Sequence, residues 1–134
     1  MRLNRMKLLT EVWIMFEFFK KLFSTPYRNY SANRVITDID NGWKPFIIDV
    51  RSIGEANGSG KIQGCKIIQP HFNIQKIRRK IPQEGDSLVY CAGGVRSSKA
   101  INTLMDSGVE ANRLVNMRGG FRAYASNGGK ISRR

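Results

Sequence analysis

Short apolar runs alternate with helix-like stretches along the chain from residue 31 onward. Four runs have the length of a strand: PFIIDV (45–50), CKIIQ (65–69), SLVY (87–90) and RLVNM (113–117). Continuous apolar runs are typical of strands that are buried on both faces of a parallel sheet. NIQKIRRKI and SSKAINTLMDSG between them predict helices, and SANRVITDIDNG predicts a leading helical turn. Strands that alternate with helices predict an α/β fold with a mostly parallel sheet.

The first thirty residues follow a different pattern. In LLTEVWIMFEFFKKLF, one broad helical face is apolar and carries Leu8, Leu9, Val12, Met15, Phe16, Phe19, Leu22 and Phe23. Charged residues interrupt the stretch, whereas a spanning helix needs about 20 mostly uncharged residues. A secretory signal would need an uncharged core and a small-x-small cleavage site, and we find neither.

We therefore expect an N-terminal amphipathic helix and a polar linker over residues 1–29, followed by one domain over residues 30–134. The helix, over residues 8–23, would lie on a membrane surface, bind a protein partner or pack on its own domain. A poor signal or anchor is the remaining alternative.

Composition and charge narrow the functional classes. A chain of 134 residues with 41% apolar residues is long enough for one domain with a hydrophobic core. The net charge is +13, and its densest cluster is KIRRK (76–80). Such a run is usually a solvated helix face, but it can also attract anionic substrates, acidic proteins, nucleic acid or lipid headgroups. No aromatic-interleaved basic platform accompanies it, which argues against nucleic acid.

The chain has two cysteines, Cys65 and Cys91, and one histidine. The spacings CxxC and HxxxH that often mark structural zinc sites do not occur, which argues against a metal site. A domain of this size also needs no disulfide for stability. We therefore expect reduced thiols and a cytoplasmic protein, which the N-terminal helix could attach to a membrane.

The segment CAGGVRSS places Cys91 where a predicted strand becomes a loop and then a helix. Ligands bind at the carboxyl ends of parallel strands, and PFIIDVR brings Asp49 and Arg51 to the same edge. Two consecutive glycines allow backbone N–H groups to converge as an anion-binding nest, and the helix N-terminus adds to it. A cysteine that faces this nest should ionise readily, and Arg96 adds a positive charge. An activated nucleophile is therefore favoured over an inert core cysteine.

Four blocks, FIIDVRSIGE, GKIQGC, LVYCAGGVRSSKA and NMRGGFRAY, occur in that order and together resemble a single rhodanese domain, over about residues 31–132. The resemblance implies a central parallel five-stranded sheet flanked by helices, and a cysteine that carries sulfane sulfur as a persulfide. By this match Cys91 is the carrier. The loop that would hold the outer sulfur or an arriving anion comprises Ala92, Gly93, Gly94, Val95, Arg96 and Ser97. Nothing in the sequence requires a metal or an organic cofactor.

The resemblance also implies partners and further site residues. The sulfur donor would be a small anion such as thiosulfate, and the acceptor would be a thiol or a protein cysteine, or cyanide in assays. Arg96 would bind the anionic end of the donor. The expected pocket wall consists of Asp49, which accepts hydrogen bonds from the loop backbone, an ion pair of Arg51 and Glu55, and Gly119 and Gly120 along the rim.

Loop length separates two chemistries. Four residues lie between Cys91 and Arg96, whereas the related cell-cycle phosphatases and arsenate reductases have five, enough to encircle a tetrahedral oxyanion. We therefore expect a thiosulfate sulfurtransferase-like enzyme, with phosphatase or arsenate reductase as a lesser alternative. The other alternative is a persulfide-relay or binding module with little small-molecule turnover, docked to a membrane or a protein by the N-terminal helix.

Three positions depart from the family pattern. Lys61 stands where the family usually has histidine, Tyr124 where tryptophan is common, and Cys65 where a small alanine is usual. Lys61 could alter the choice of acceptor. Cys65 is expected in the core, although it could also resolve a Cys91 persulfide into a disulfide.

Overall fold

In the computed structural model, the four predicted apolar runs form four of the five strands of one sheet. The structure describes the backbone of residues 2–23 and 27–133 and the side chains of residues 7–19 and 27–133. Two 3₁₀ segments, His71–Lys80 and Ala111–Arg113, accompany the regular elements. In chain order these elements are α1 (Arg2–Phe23), β1 (Arg28–Ser31), α2 (Ala32–Asp40), β2 (Phe46–Asp49), α3 (Ile53–Ser59), β3 (Lys61–Ile62), β4 (Cys65–Ile68), β5 (Ser87–Tyr90), α4 (Val95–Asp106), β6 (Leu114–Arg118), α5 (Gly120–Ser126) and β7 (Ile131–Ser132).

Five strands form one sheet in the order β1-β6-β5-β2-β4, and every neighbouring pair is parallel. The predicted α/β fold with a parallel five-stranded sheet is therefore confirmed. Successive residues of a strand point to opposite faces. Ile48 and Val89 accordingly pack in one hydrophobic cluster, which α4 covers, and Ile47 and Leu88 pack in a second cluster under α2 and α5. Burial on both faces explains why these strands are continuous apolar runs.

The carboxyl ends of three adjacent strands meet at one edge of the sheet. The backbone N–H of Val50, just after β2, donates to the Tyr90 carbonyl at 2.9 Å. The N–H of Phe121, in α5 after β6, donates to the Cys91 carbonyl at 2.8 Å. The segments that follow β2, β5 and β6 are thereby joined through backbone hydrogen bonds around Cys91.

Several elements differ from the sequence-based expectation. Residues 28–31, assigned to the linker and the very start of the domain, form β1, which is an edge strand of the main sheet. The helix predicted from NIQKIRRKI is a 3₁₀ segment with a break at Asn73, where φ is −133°. The amide of Gln69 donates to the Asn73 side-chain oxygen at 2.7 Å, and this contact accompanies the break.

The N-terminal helix is present as α1, and each of its described side chains, from residue 7 to residue 19, is exposed. Nine large apolar side chains between Leu8 and Phe19 have exposed fractions of 52–67%. Leu22 and Phe23, which we assigned to the apolar face, lie outside the described side chains. In the part of the chain that the structure describes, no helix is long and apolar enough to cross a membrane.

Candidate active site

The loop after β5 wraps its backbone around the Cys91 sulfur. Gly94 adopts the left-handed conformation, with φ of 108°, and caps the start of α4. In this conformation the Gly94 N–H donates to Cys91 Sγ at 3.0 Å. Ala92 is half-buried at the mouth of the loop, whereas Val95 begins α4 and is 68% exposed. Cys91 itself is only 1% exposed.

Two opposing effects determine the acidity of the Cys91 thiol. Burial disfavours the thiolate, but hydrogen bonds from the Ser97 hydroxyl and from the backbone N–H groups of Ser97, Gly94 and Gly93 outweigh it, so the pKa of Cys91 lies below its ordinary value. Because these donors stabilise negative charge on sulfur, the site favours a nucleophilic thiolate.

A chain of polar side chains holds Ser97 in place. Ser97 is completely buried, and its Oγ lies 3.5 Å from Cys91 Sγ. The hydroxyl has one proton, which it donates to Oδ1 of Asn116 at 2.6 Å and can turn towards a Cys91 thiolate. The Asn116 amide donates in turn to Oδ1 of Asn29 at 2.9 Å. This chain links the loop to β6 and to the edge strand β1, and it fixes the hydroxyl beside the sulfur. Neither Asn116 nor Asn29 was recognised from sequence, since both lie in other strands.

Arg96 is held by a carboxylate rather than directed freely at the sulfur. Its two terminal nitrogens form a bidentate pair with Glu55 at 2.6 and 2.8 Å. The Arg96 guanidinium is the main reason why the pKa of Glu55 is lowered to about 2. The expected ion pair between Arg51 and Glu55 is therefore wrong: Glu55 pairs with Arg96, and Arg51 pairs with a different carboxylate.

That carboxylate is Asp49, which forms a buried ion pair with Arg51 at 2.7 Å. Asp49 also accepts a hydrogen bond from the Arg51 backbone N–H at 2.9 Å and one from the Tyr90 hydroxyl at 2.8 Å. Arg51 additionally donates to the Gly60 carbonyl at 2.6 Å and stacks over the Phe121 ring, 4.2 Å from its centroid. These contacts bind the loop after β2 to α3 and α5, so the pair supports the wall of the site.

The two glycines of the block NMRGGFRAY lie against the Cys91 loop. Gly120 has φ of 61°, and a Cβ at this position would lie only 2.5 Å from the Ala92 backbone and 2.6 Å from the Cys91 carbonyl oxygen. Gly119 has φ of 80°, and its backbone N lies 3.5 Å from where a Cβ at Gly94 would be. Glycine at 120 therefore permits the close contact between α5 and the loop.

An open cleft of about 760 Å³ borders the loop at Ala92 and is lined in part by Glu55, Phe121 and Arg122. Arg122 is exposed, and its Nη1 lies 4.0 Å from where a Cβ at Gly93 would be. It is therefore a cation beside the loop that sequence reasoning missed. The only indication in the sequence is that Arg122 lies two residues after Gly120, in the block NMRGGFRAY.

Cys65 lies far from Cys91, on the other side of the sheet. Cys65 packs with the cluster that contains Leu88, whereas Cys91 belongs to the cluster that contains Val89. Cys65 starts β4, and two strand spacings separate β4 from β5, so the two Cα atoms are more than about 9 Å apart. A disulfide needs Cα atoms within about 7 Å, so this fold excludes direct resolution of a Cys91 persulfide by Cys65. Within residues 7–19 and 27–133, no group of three His, Cys, Asp or Glu side chains could hold a metal ion.

The fold and the loop define a class of protein: α/β domains in which a parallel sheet presents a cradled cysteine at its carboxyl edge. The rhodanese-like domain family matches residues 31–127, and the chain belongs to that family. The resemblance stated from the sequence blocks is thereby confirmed. The crystal structure of a rhodanese-like domain protein from Staphylococcus aureus is similar in fold, with a TM-score of 0.66 and 27% identity over 78% of this chain and 98% of that one.

Two curated relatives extend the comparison. An uncharacterized protein of Bacillus subtilis (strain 168), YqhL, is 34% identical over 88 residues, which are 66% of this chain and 64% of the relative's length. A protein of Allochromatium vinosum named sulfurtransferase is 33% identical over 83 residues, 62% of this chain and 74% of that protein. The aligned region is less than two thirds of the first relative's length. The family and the second relative together support a sulfurtransferase-type or related function.

Proposed function

We propose that this protein is a sulfurtransferase that carries a sulfane sulfur as a persulfide on Cys91. The observation that carries the proposal is the Cys91 sulfur itself, which accepts a hydrogen bond from Gly94 N–H at 3.0 Å and has a pKa below its ordinary value. A thiolate held by neutral N–H and O–H donors remains a nucleophile, and the same donors stabilise the negative persulfide. The carrier role needs a free thiol at Cys91, which a reducing, cytoplasmic compartment would maintain.

The proposed sulfur transfer has two steps. The Cys91 thiolate attacks the outer sulfur of thiosulfate; the sulfur–sulfur bond of the donor breaks, and its electron pair leaves with sulfite. The product is a Cys91 persulfide anion. The thiolate of a small thiol or a protein cysteine, or cyanide, then attacks the outer sulfur of this persulfide. The bond between Cys91 Sγ and the outer sulfur breaks, its electron pair returns to Sγ as the Cys91 thiolate, and the acceptor leaves as a persulfide or as thiocyanate.

The burial of Cys91 restricts which reactants can approach it. Because the residue is only 1% exposed, the donor must present a small, unhindered sulfur at the mouth of the loop. Once transferred, the outer sulfur extends about 2 Å beyond Sγ, so the acceptor need not reach as deeply as the donor. Both reactants approach from the cleft beside Ala92, where Arg122 contributes a positive charge for anionic reactants.

Intact-mass spectrometry after incubation with thiosulfate tests the proposal. We expect the wild type to gain one sulfur, about 32 Da, in a form that dithiothreitol removes, as expected of an activated thiolate. Cys91→Ser should gain nothing, and Cys65→Ser is the matched control that should gain the same mass as the wild type. An adduct that survives in Cys91→Ser, or that disappears in Cys65→Ser, would refute the assignment of Cys91.

The exposed N-terminal helix supports a second candidate function, a persulfide-relay module with little small-molecule turnover. Nine large apolar side chains of α1 are more than half exposed, as on a helix that docks on a membrane surface or a protein. In this case the helix brings Cys91 to a particular donor or acceptor, and thiosulfate is a poor substitute for it.

Removing residues 1–26 distinguishes the two candidates, because this deletion leaves β1 intact. A free enzyme should keep its thiosulfate:cyanide turnover without these residues. A relay should show little turnover in either form, and the shortened chain should lose the binding that the full chain shows to anionic lipid vesicles or to a protein donor.

Phosphate chemistry is disfavoured by the length of the loop, which has four residues between Cys91 and Arg96. We therefore expect no hydrolysis of an aryl phosphate above that of Cys91→Ser. Hydrolysis that depends on Cys91 would overturn the argument from loop length.

A further inference from the structure

A second cavity, of about 460 Å³, lies at the opposite edge of the sheet from Cys91. Its lining includes Arg78, Arg79, Ile81, Val109, Glu110 and Arg113. Arg113 immediately precedes β6, whose first residue Leu114 pairs with Ser87 at the start of β5. Cys91 follows the other end of β5, so about 13 Å of strand separates the two edges. The cavity is therefore distinct from the site already described.

Positive charge dominates this cavity. Three arginines and one glutamate line it. Arg78 is fixed at the end of α4, since its Nη1 donates to the Ser107 carbonyl at 2.5 Å. Arg79 is exposed, and in residues 7–19 and 27–133 it forms no ion pair with a carboxylate. Two members of the KIRRK cluster thus flank a concave surface, which an ordinary solvated helix face does not provide.

Arg113 supplies the second, independent observation. Its Nε and Nη2 are both buried, and neither has a hydrogen-bond partner within the part of the chain that the structure describes. These two nitrogens form the edge of the guanidinium that binds two oxygens of a carboxylate or phosphate side by side. Buried donors without an acceptor are uncommon in folded proteins. Because both nitrogens are buried, the guanidinium must turn towards the cavity before they can meet an acceptor there.

We propose that this cavity binds a phosphoryl dianion, either as free phosphate or as the phosphate group of a small metabolite. Arg113 would rotate its unsatisfied edge into the cavity and bind two oxygens, and Arg79 would balance the second charge. Two arginines match the charge of a dianion, and about 460 Å³ lies within the range of small-molecule sites. The site does not depend on sulfur transfer, so it stands or falls separately from the proposed function.

An NMR titration of the full chain with inorganic phosphate, at constant ionic strength, tests this site. We expect saturable shifts of the Arg113 Nε–H signal and of the Gly108 and Val109 amides, which lie at the cavity. Arg113→Gln should weaken binding by about tenfold or more, because charged hydrogen bonds are lost. Arg79→Gln should also weaken binding, because it removes one of the two balancing charges. Since Arg79 is exposed, this substitution should leave the fold intact.

Lys76→Gln is the matched control, since Lys76 lies in the same 3₁₀ segment but does not line the cavity. It should leave the affinity unchanged. A parallel titration with glycerol 3-phosphate identifies the source: tighter binding than inorganic phosphate supports a phosphorylated metabolite, and equal or weaker binding supports free phosphate. Shifts that do not saturate, or that Lys76→Gln reduces as much as the two arginine variants do, would overturn the proposal.

Discussion

Gly120→Ala should destabilise the domain because it separates α5 from the loop that carries Cys91. A Cβ at position 120 would lie 2.5 Å from the carbonyl carbon and oxygen of Ala92, and this is backbone that cannot rotate away. The left-handed conformation of residue 120, with φ of 61°, adds about 1–2 kcal/mol for a residue other than glycine. Overpacking of a close contact adds about 1–3 kcal/mol. The expected loss in the free energy of unfolding is therefore about 2–5 kcal/mol.

Gly128→Ala is the control that isolates the contact from the backbone conformation. Gly128 also has a positive φ, 84°, but a Cβ there would meet nothing within 4 Å. Its cost should be only the conformational part, about 1–2 kcal/mol. Urea unfolding, followed by circular dichroism, measures both variants. A loss of stability in Gly120→Ala no larger than that in Gly128→Ala would refute the steric role of this contact.

Three further predictions concern the site and its support. Ser97→Ala should raise the pKa of Cys91, because the alanine cannot donate a hydrogen bond to the thiolate; the pH profile of alkylation by iodoacetamide should move to higher pH, and an unchanged profile would show that backbone N–H groups suffice. Asp49→Asn should cost about 3–5 kcal/mol in urea unfolding, since it leaves a buried guanidinium without its carboxylate, whereas the control Asp38→Asn, at a partly exposed ion pair with Arg34, should cost about 0.5 kcal/mol or less; similar losses would contradict the role of the buried pair. Removing residues 1–31 should lower the melting temperature well below that of a chain without residues 1–26, because only the longer deletion removes β1; equal melting temperatures would show that this edge strand contributes little.

The fold was predictable where a strand is buried on both faces. The run PFIIDV gives β2 because its residues Phe46, Ile47, Ile48 and Val50 each pack in one of the two clusters. The edge strand β1 is different: its sequence is RNYS, and none of its residues is fully buried, so no hydrophobic pattern distinguishes it from a linker. Parallel pairing with β6, which is distant in sequence, makes it a strand. The short helix α3 was missed for a related reason, since its sequence IGEANGS has two glycines and one buried residue.

The site was predictable where its chemistry is local in sequence. The glycines that shape the loop follow Cys91 directly, so the anion-binding backbone could be inferred from CAGGVRSS. The partners within the ion pairs could not be inferred from sequence. Seven residues contain Asp49, Arg51 and Glu55, and their spacing does not determine which carboxylate pairs with which arginine. The partner of Glu55 is determined by the capping box of α3. There the Glu55 carboxylate accepts a hydrogen bond from the Ser52 backbone N–H, and this position places it next to Arg96.

These pairings change how an anion would be held at Cys91. The Arg96 guanidinium is bound to Glu55, whose pKa of about 2 keeps the carboxylate charged at neutral pH, so the pair contributes little net charge to the loop. Arg51 is likewise neutralised by Asp49. Backbone N–H groups and the Ser97 hydroxyl are therefore the groups that favour negative charge on sulfur, and they act over hydrogen-bond distances only. We infer that the loop selects its reactants by size and by the position of one charged sulfur, while Arg122 at the cleft provides the attraction over longer distances.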